Sequence, residues 1–121
     1  MSRFIRQLDH VQLAISAGGE DLARSFYVEL LGFHEQDKPA PLNARGGCWF
    51  HSGSCTIHLG VDPNFVAAKK AHPAFLVAHF DVLEATLLSA GYRFTRDTEL
   101  SDVERAFTHD PFGNRIEFIA M

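Results

Sequence analysis

Two glycines set the frame of this chain. Gly32 closes an apolar helical stripe, and 26 residues after it stands His58; Gly91 closes a second stripe, and 26 residues after it stands Glu117. Ahead of the glycines lie two strand-like segments, one with His10 and the other opening on His72. The intervals from these histidines to the glycines are 22 and 19 residues, and the break at Ser16 to Gly19 supplies the difference. Each half therefore reads strand, helix, glycine, three strands. A repeat this long is a duplicated supersecondary unit, since a solenoid would need further copies. The expected fold class is α+β: two paired βαβββ modules forming a curved, partly open mixed sheet around a cavity. A single domain of 121 residues is expected to divide into module one (about 5–60), a connector (61–71) and module two (72–121).

Local patterns fill in the frame. Leu8 to Ile15 alternates, with Leu8, His10, Gln12 and Ala14 on one face and Val11, Leu13 and Ile15 on the other. A helix is expected from Glu20 to Leu31, its stripe built on Leu22, Phe26 and Leu30 with Ala23 and Tyr27 beside them, and with Gly32 as a left-handed cap. Phe33-His34-Glu35 starts a second strand, and Lys38 to Arg45, with two prolines and no period, reads as a loop. Gly47 to His51 and Ser54 to Gly60 read as a hairpin turning at Ser52-Gly53. That turn pairs His51 with Ser54 and Trp49 with Thr56. It places Trp49, His51, Thr56 and His58 on one face, and Cys48, Phe50, Cys55, Ile57 and Leu59 on the core side. In the second half, His72 to Val77 is a strand. Asp81 and Glu84 have capping-box spacing before a helix from Val82 to Ala90. Strands are expected at Tyr92 to Thr95 and Arg105 to Thr108. Asp110 to Asn114 is turn chemistry, and Arg115 to Ile119 a half-buried strand.

Composition narrows the function. Eleven Phe are enough to fill a core. A net charge of −4 gives no electrostatic reason to expect nucleic acid or an anionic membrane as partner. No apolar run approaches the ~18 residues of a membrane span. The opening Met-Ser-Arg-Phe-Ile-Arg lacks signal-peptide features, so a soluble cytoplasmic protein is the default expectation. Cys48 and Cys55 are too few for a disulfide framework and are expected to be small buried hydrophobes.

The repeat-equivalent positions are His10 with His72, and His58 with Glu117. All four are metal-ligand types, and all face away from the helix-packed side. Together with Leu8-Asp9-His10-Val11, Phe26-Tyr27 through Gly32-Phe33, Ile57-His58-Leu59-Gly60, His72-Pro73-Ala74-Phe75 and Asp110-Pro111-Phe112-Gly113-Asn114-Arg115-Ile116-Glu117, they resemble the vicinal oxygen chelate superfamily. That superfamily includes glyoxalase I, fosfomycin-resistance proteins, extradiol dioxygenases and bleomycin-binding proteins. The resemblance implies that His10, His72 and Glu117 hold a divalent metal. It also implies a homodimer in which each site takes first-module residues from one chain and second-module residues from the other. The position of His58 is a second acidic ligand in glyoxalase I. Histidine there departs from a straightforward glyoxalase I and leaves three- and four-ligand sites open.

The residues themselves support a metal. Two or three imidazoles with one carboxylate suit Fe²⁺, Mn²⁺, Ni²⁺, Co²⁺ or Zn²⁺. His58 is either the fourth ligand or a base near the substrate, and Glu117 or His58 would move the proton. Trp49, Gln12, Thr56 and Arg115 share faces with these groups and are the expected substrate contacts. His34, His51, His79 and His109 are expected to be structural or surface residues. The leading expectation is a glyoxalase-like lyase or isomerase working through an enediolate on a small substrate. The enzymatic alternatives are Fe(II) ring cleavage and addition of a thiol to an epoxide. A metal-free drug-binding protein is the alternative of another class.

Overall fold

The computed structural model describes residues 1–121. Its strands form where apolar and polar residues alternate. β1 (Val11–Ile15), β2 (His34–Gln36), β3 (Cys48–Ser52) and β4 (Cys55–Val61) make one four-stranded sheet in the order β1-β4-β3-β2. β5 (Ala74–Val77), β6 (Thr95–Asp97), β7 (Arg105–His109) and β8 (Arg115–Ala120) make a second in the order β5-β8-β7-β6. In each sheet the first strand runs parallel to the last, and the other neighbours are antiparallel. The duplication is therefore topological as well as sequential. Neither sheet closes, so the α+β two-module open sheet is the observed fold.

Register shows the repeat residue by residue. Gln12 lies opposite His58, and Ala74 lies opposite Glu117. His10 and His72 each stand two residues before that cross-strand pair. In the two hairpins Trp49 lies opposite His58, and Phe107 opposite Glu117. The first hairpin turns at Gly53-Ser54, with Ser52 opposite Cys55 and His51 opposite Thr56. The Ser52-Gly53 turn is thus corrected: the residue facing each strand position shifts by two. A shift of two preserves the faces, because side chains alternate with a period of two. Cys48, Phe50, Ile57 and Leu59 are buried as expected. β1 begins at Val11, so His10 lies just outside it, and β6 begins at Thr95 rather than Tyr92.

The first helix opens as α1 (Glu20–Arg24) and continues as a wider π-helical segment, Ser25–Leu30. The Leu31 amide reaches back five residues to the Phe26 carbonyl at 3.0 Å. Of the expected stripe, Ala23, Phe26 and Tyr27 face the core, while Leu22 is corrected to a surface position, 50% exposed. The second helix, α2 (Phe80–Ser89), starts two residues earlier than its spacing implies and has no side-chain cap. Asp81 and Glu84 instead hold Arg96, at 2.9 and 2.8 Å.

One interior serves both modules. Phe26 meets Tyr92 edge-on at 4.8 Å between centroids, and Phe33 meets Phe75 at 5.9 Å. Each fully buried large apolar side chain stabilises the fold by about 1.5–3 kcal/mol. Polar bonds cross the same seam. The Tyr27 hydroxyl donates to Asp110 Oδ2 at 2.7 Å, and the Asn114 amide donates to the Ala14 carbonyl at 2.9 Å. No helix is long and apolar enough to cross a membrane.

Candidate metal centre

Each module presents one pair of donors. In the first, β4 carries His58 and the residue preceding β1 is His10. Their rings stack with centroids 3.9 Å apart. Trp49, directly across β3, stacks on His58 at 4.0 Å with planes 2° apart. Asp9 Oδ2 takes the Nδ1 side of His10 at 2.8 Å, which leaves Nε2 as the open donor atom. A carboxylate behind a ligating imidazole is a usual way to fix its orientation. His58 is 9% exposed. Burial, then the neighbouring His10, lowers its pKa, with Lys38 acting in the same direction and Asp9 against it. The ring is therefore neutral at neutral pH and has a lone pair to give.

In the second module, His72 and Glu117 meet directly: His72 Nε2 lies 2.9 Å from Glu117 Oε1. His72 Nδ1 lies 2.7 Å from the Lys70 carbonyl. A carbonyl only accepts, so Nδ1 carries the proton, and in the neutral ring Nε2 bears a lone pair. That lone pair faces a carboxylate oxygen. Two acceptors at this separation call for a positive species between them, a proton or a metal ion. The donor set thus fits a divalent cation. Glu117 is 7% exposed, and its other oxygen faces Arg105 Nη1 at 3.3 Å. Arg105 Nη2 is held by Asp97 at 2.9 Å, while its Nε is buried without a partner.

One chain thus brings the four expected ligands together as two pairs. No group of three or more His, Cys, Asp or Glu converges within it. The expected substrate contacts also divide. Gln12 and Trp49 line a cavity of about 200 Å³ beside the first pair. Arg115 lies beside the second pair, its guanidinium 4.1 Å above the Phe107 ring and its Nη1 3.4 Å from His72 Nδ1. Thr56 keeps the His58 face but lines neither that cavity nor the larger one. The larger cavity, of about 560 Å³, is walled by Phe33, Phe75, Phe118 and other mostly apolar groups, and no candidate ligand lines it. The smaller cavity is the one adjoining the chemistry. His34 and His51 face each other across neighbouring strands, with centroids 5.8 Å apart and outside both pairs.

Two residues that touch the second pair, Arg105 and Phe107, escape a reading by alternation. Arg105 and Phe107 share the Glu117 face of β7, and Phe107 also meets His72 edge-on at 5.4 Å. The signal available was their parity with each other; placing them against Glu117 needed the hairpin register.

A family model described as the Glyoxalase/Bleomycin resistance protein/Dioxygenase superfamily matches residues 7–118. A glyoxalase family protein from Bacillus anthracis is 47% identical, with a TM-score of 0.93 over 99% of this chain and 98% of that one. A glyoxalase/dioxygenase from Nostoc punctiforme, 19% identical, has a TM-score of 0.81 over 99% and 94% of the two chains. A genomically encoded fosfomycin resistance protein from Listeria monocytogenes, 13% identical, has a TM-score of 0.79 over 98% and 95%. The last two show likeness of fold. No curated protein matches the chain.

Proposed function

The chain belongs to the glyoxalase/bleomycin resistance protein/dioxygenase superfamily, and from that premise we propose a metal-dependent enzyme that grips two neighbouring oxygens of a small substrate. The reaction is of the lyase or isomerase kind, a proton being moved at the substrate. The observation that carries this proposal is His72 Nε2 facing Glu117 Oε1 at 2.9 Å, two ligand-type atoms close enough to share one cation in place of a proton.

Each pair offers two donors, fewer than the three or four that proteins usually give such an ion. A homodimer completes a three-ligand set, with His10 from one chain and His72 and Glu117 from the other, and leaves the lone pair of His58, stacked on His10, uncommitted to the metal. The ion would be Fe²⁺, Mn²⁺, Ni²⁺, Co²⁺ or Zn²⁺. When bound, it would supply Lewis acidity to the chelated substrate oxygens. The remaining work belongs to side chains. Arg105 and His72 engage both oxygens of Glu117, which suits a fixed ligand better than a mobile base. His58, neutral because of its burial, is the group assigned to take and return the proton. Trp49 packs flat on His58 and Phe107 packs edge-on against His72, so each pair has one aromatic wall.

Complementation tests the shared site. His10→Ala damages only the first-module half, and Glu117→Gln only the second-module half. Each homodimer alone should bind no stoichiometric Mn²⁺ and turn over nothing. When the two are unfolded and refolded together, half of the dimers are mixed, and each mixed dimer has one intact site of two. About one quarter of the wild-type metal sites should return. Recovery of none, with wild type binding one ion per chain, would place each site within a single chain. Wild-type protein that binds no transition metal would end the enzyme proposal.

A further inference from the structure

The cavity of about 200 Å³ beside the first donor pair has chemistry of its own. It is lined by Gln12, Lys38, Arg45, Gly46 and Trp49, among others. Neither cation takes part in any of the chain's ion pairs. The Lys38 ammonium donates to the Gly46 carbonyl, which fixes it at the cavity and leaves two N–H groups to offer. The carboxylate beside Gly46 is that of Glu20, and it accepts the Gly47 N–H at 3.0 Å. Its charge is therefore answered by the backbone.

The rest of the wall is shaped to receive something. The Gln12 amide lies against Gly60, where an added Cβ would stand 2.4 Å from Gln12 Nε2. Only glycine lets the amide take that position. Trp49 lines the cavity and also stacks on His58, so an occupant lies one ring away from the donor pair. The volume is below the ~300–1,000 Å³ of a whole small-molecule pocket. It suits one end of a ligand.

We infer that this cavity is a subsite for a compact anionic group, a carboxylate, phosphonate or phosphate, carried by the substrate at some remove from the oxygens that would be chelated. Lys38 and Arg45 supply the charge, Gln12 a neutral donor, and Trp49 the flat wall. The substrate class of the proposed enzyme is then a small oxygenated acid or phosphoester rather than a neutral diketone or phenol. That assignment rests on the metal-enzyme proposal, whereas anion binding in the cavity does not require the metal.

Trp49 is the only tryptophan in the chain, so its fluorescence reports on this cavity directly. Inorganic phosphate and methylphosphonate are titrated at constant ionic strength into chelator-treated wild type, with neutral dimethyl methylphosphonate as control. Both anions should give a saturable change, and the neutral ester none. Lys38→Gln and Arg45→Gln should each weaken the anions about fivefold, while His10→Ala should titrate as wild type does. A wild-type signal that never saturates, or Lys38→Gln and Arg45→Gln proteins that bind as tightly as wild type, would overturn the inference. Metal binding without anion binding removes the subsite alone. Anion binding without metal binding leaves the subsite and removes the enzyme.

Discussion

Arg105 holds two carboxylates at once, Asp97 at 2.9 Å and Glu117 at 3.3 Å. A lysine is a point charge and cannot span both in the same way. The contact to Glu117 sets the direction in which that carboxylate presents its other oxygen. Arg105→Met should therefore weaken Mn²⁺ binding by about 10–100-fold, with Arg105→Lys intermediate and both variants folded by near-ultraviolet dichroism. Calorimetric titration reads this; wild-type affinity in Arg105→Met would end the positioning role. Tyr27 is the corresponding test for the fold. Its hydroxyl donates to the buried Asp110, which also accepts from the backbone N–H groups of Phe112 and Asn114. Burial, then Asp110, pushes the Tyr27 pKa well up, so it stays a donor at any ordinary pH. Tyr27→Phe should cost about 2 kcal/mol in denaturant unfolding. Type and spacing singled out Glu117 and His72 in the sequence, and the fold sets their side chains 2.9 Å apart. Arg105 was not singled out, since alternation assigns a face but does not say which neighbour a long side chain reaches. Asp110 was legible as a turn residue. Its role as the buried anchor of Tyr27 was not, because 83 residues separate the two.

At the scale of elements, local signals succeeded where a single periodicity governs and failed where two compete. Strand faces survived even a misplaced hairpin turn, since the shift of two keeps parity. The first helix kept its extent and most of its stripe, losing Leu22 to the surface. Ala23, Phe26 and Tyr27 of that stripe are buried and Leu22 is not, and nothing in a 3.6-residue count announces the wider turn that follows at Ser25–Leu30. Asp81 and Glu84 have capping-box spacing, yet Arg96, on the next strand β6, takes both. The start of α1 offers a test. Glu20 accepts the Gly47 N–H, and this bond, first among several causes, lowers its pKa below 4.5. A carboxyl lowered on folding adds stability that is complete above its unfolded pKa and lost as pH falls through its folded pKa. Glu20→Gln should thus be less stable than wild type by about 1 kcal/mol near neutrality. The two unfolding free energies should converge as pH drops below 4.5. Curves that stay parallel down to the acid transition would show that the bond contributes nothing.

Over the whole molecule, the duplication places like chemistry at like positions, but it does not by itself bring the two halves together. β1 and β5 are outer strands of their sheets, and His10 and His72 stand at their beginnings. A second chain that sets β1 beside β5 would join the two donor pairs, and metal binding would then be linked to association. An ion bound by the dimer and not by the monomer stabilises the dimer by RT ln(1 + [L]/Kd) for each site, or about 2.7 kcal/mol when the free ion is a hundredfold above its Kd. Two such sites amount to about 5 kcal/mol, a tightening of the dimer of up to ~10⁴-fold. Sedimentation velocity across a dilution series, with Mn²⁺ or with chelator, should show this shift in wild type. It should be absent in both His10→Ala and His72→Ala, because removing either donor opens the same shared site. A dimer whose dissociation ignores Mn²⁺ while the ion binds tightly would mean that the ligands all come from one chain. The two sheets would then have to move together within the monomer, a rearrangement that the Tyr27 to Asp110 and Asn114 to Ala14 bonds across the shared interior oppose.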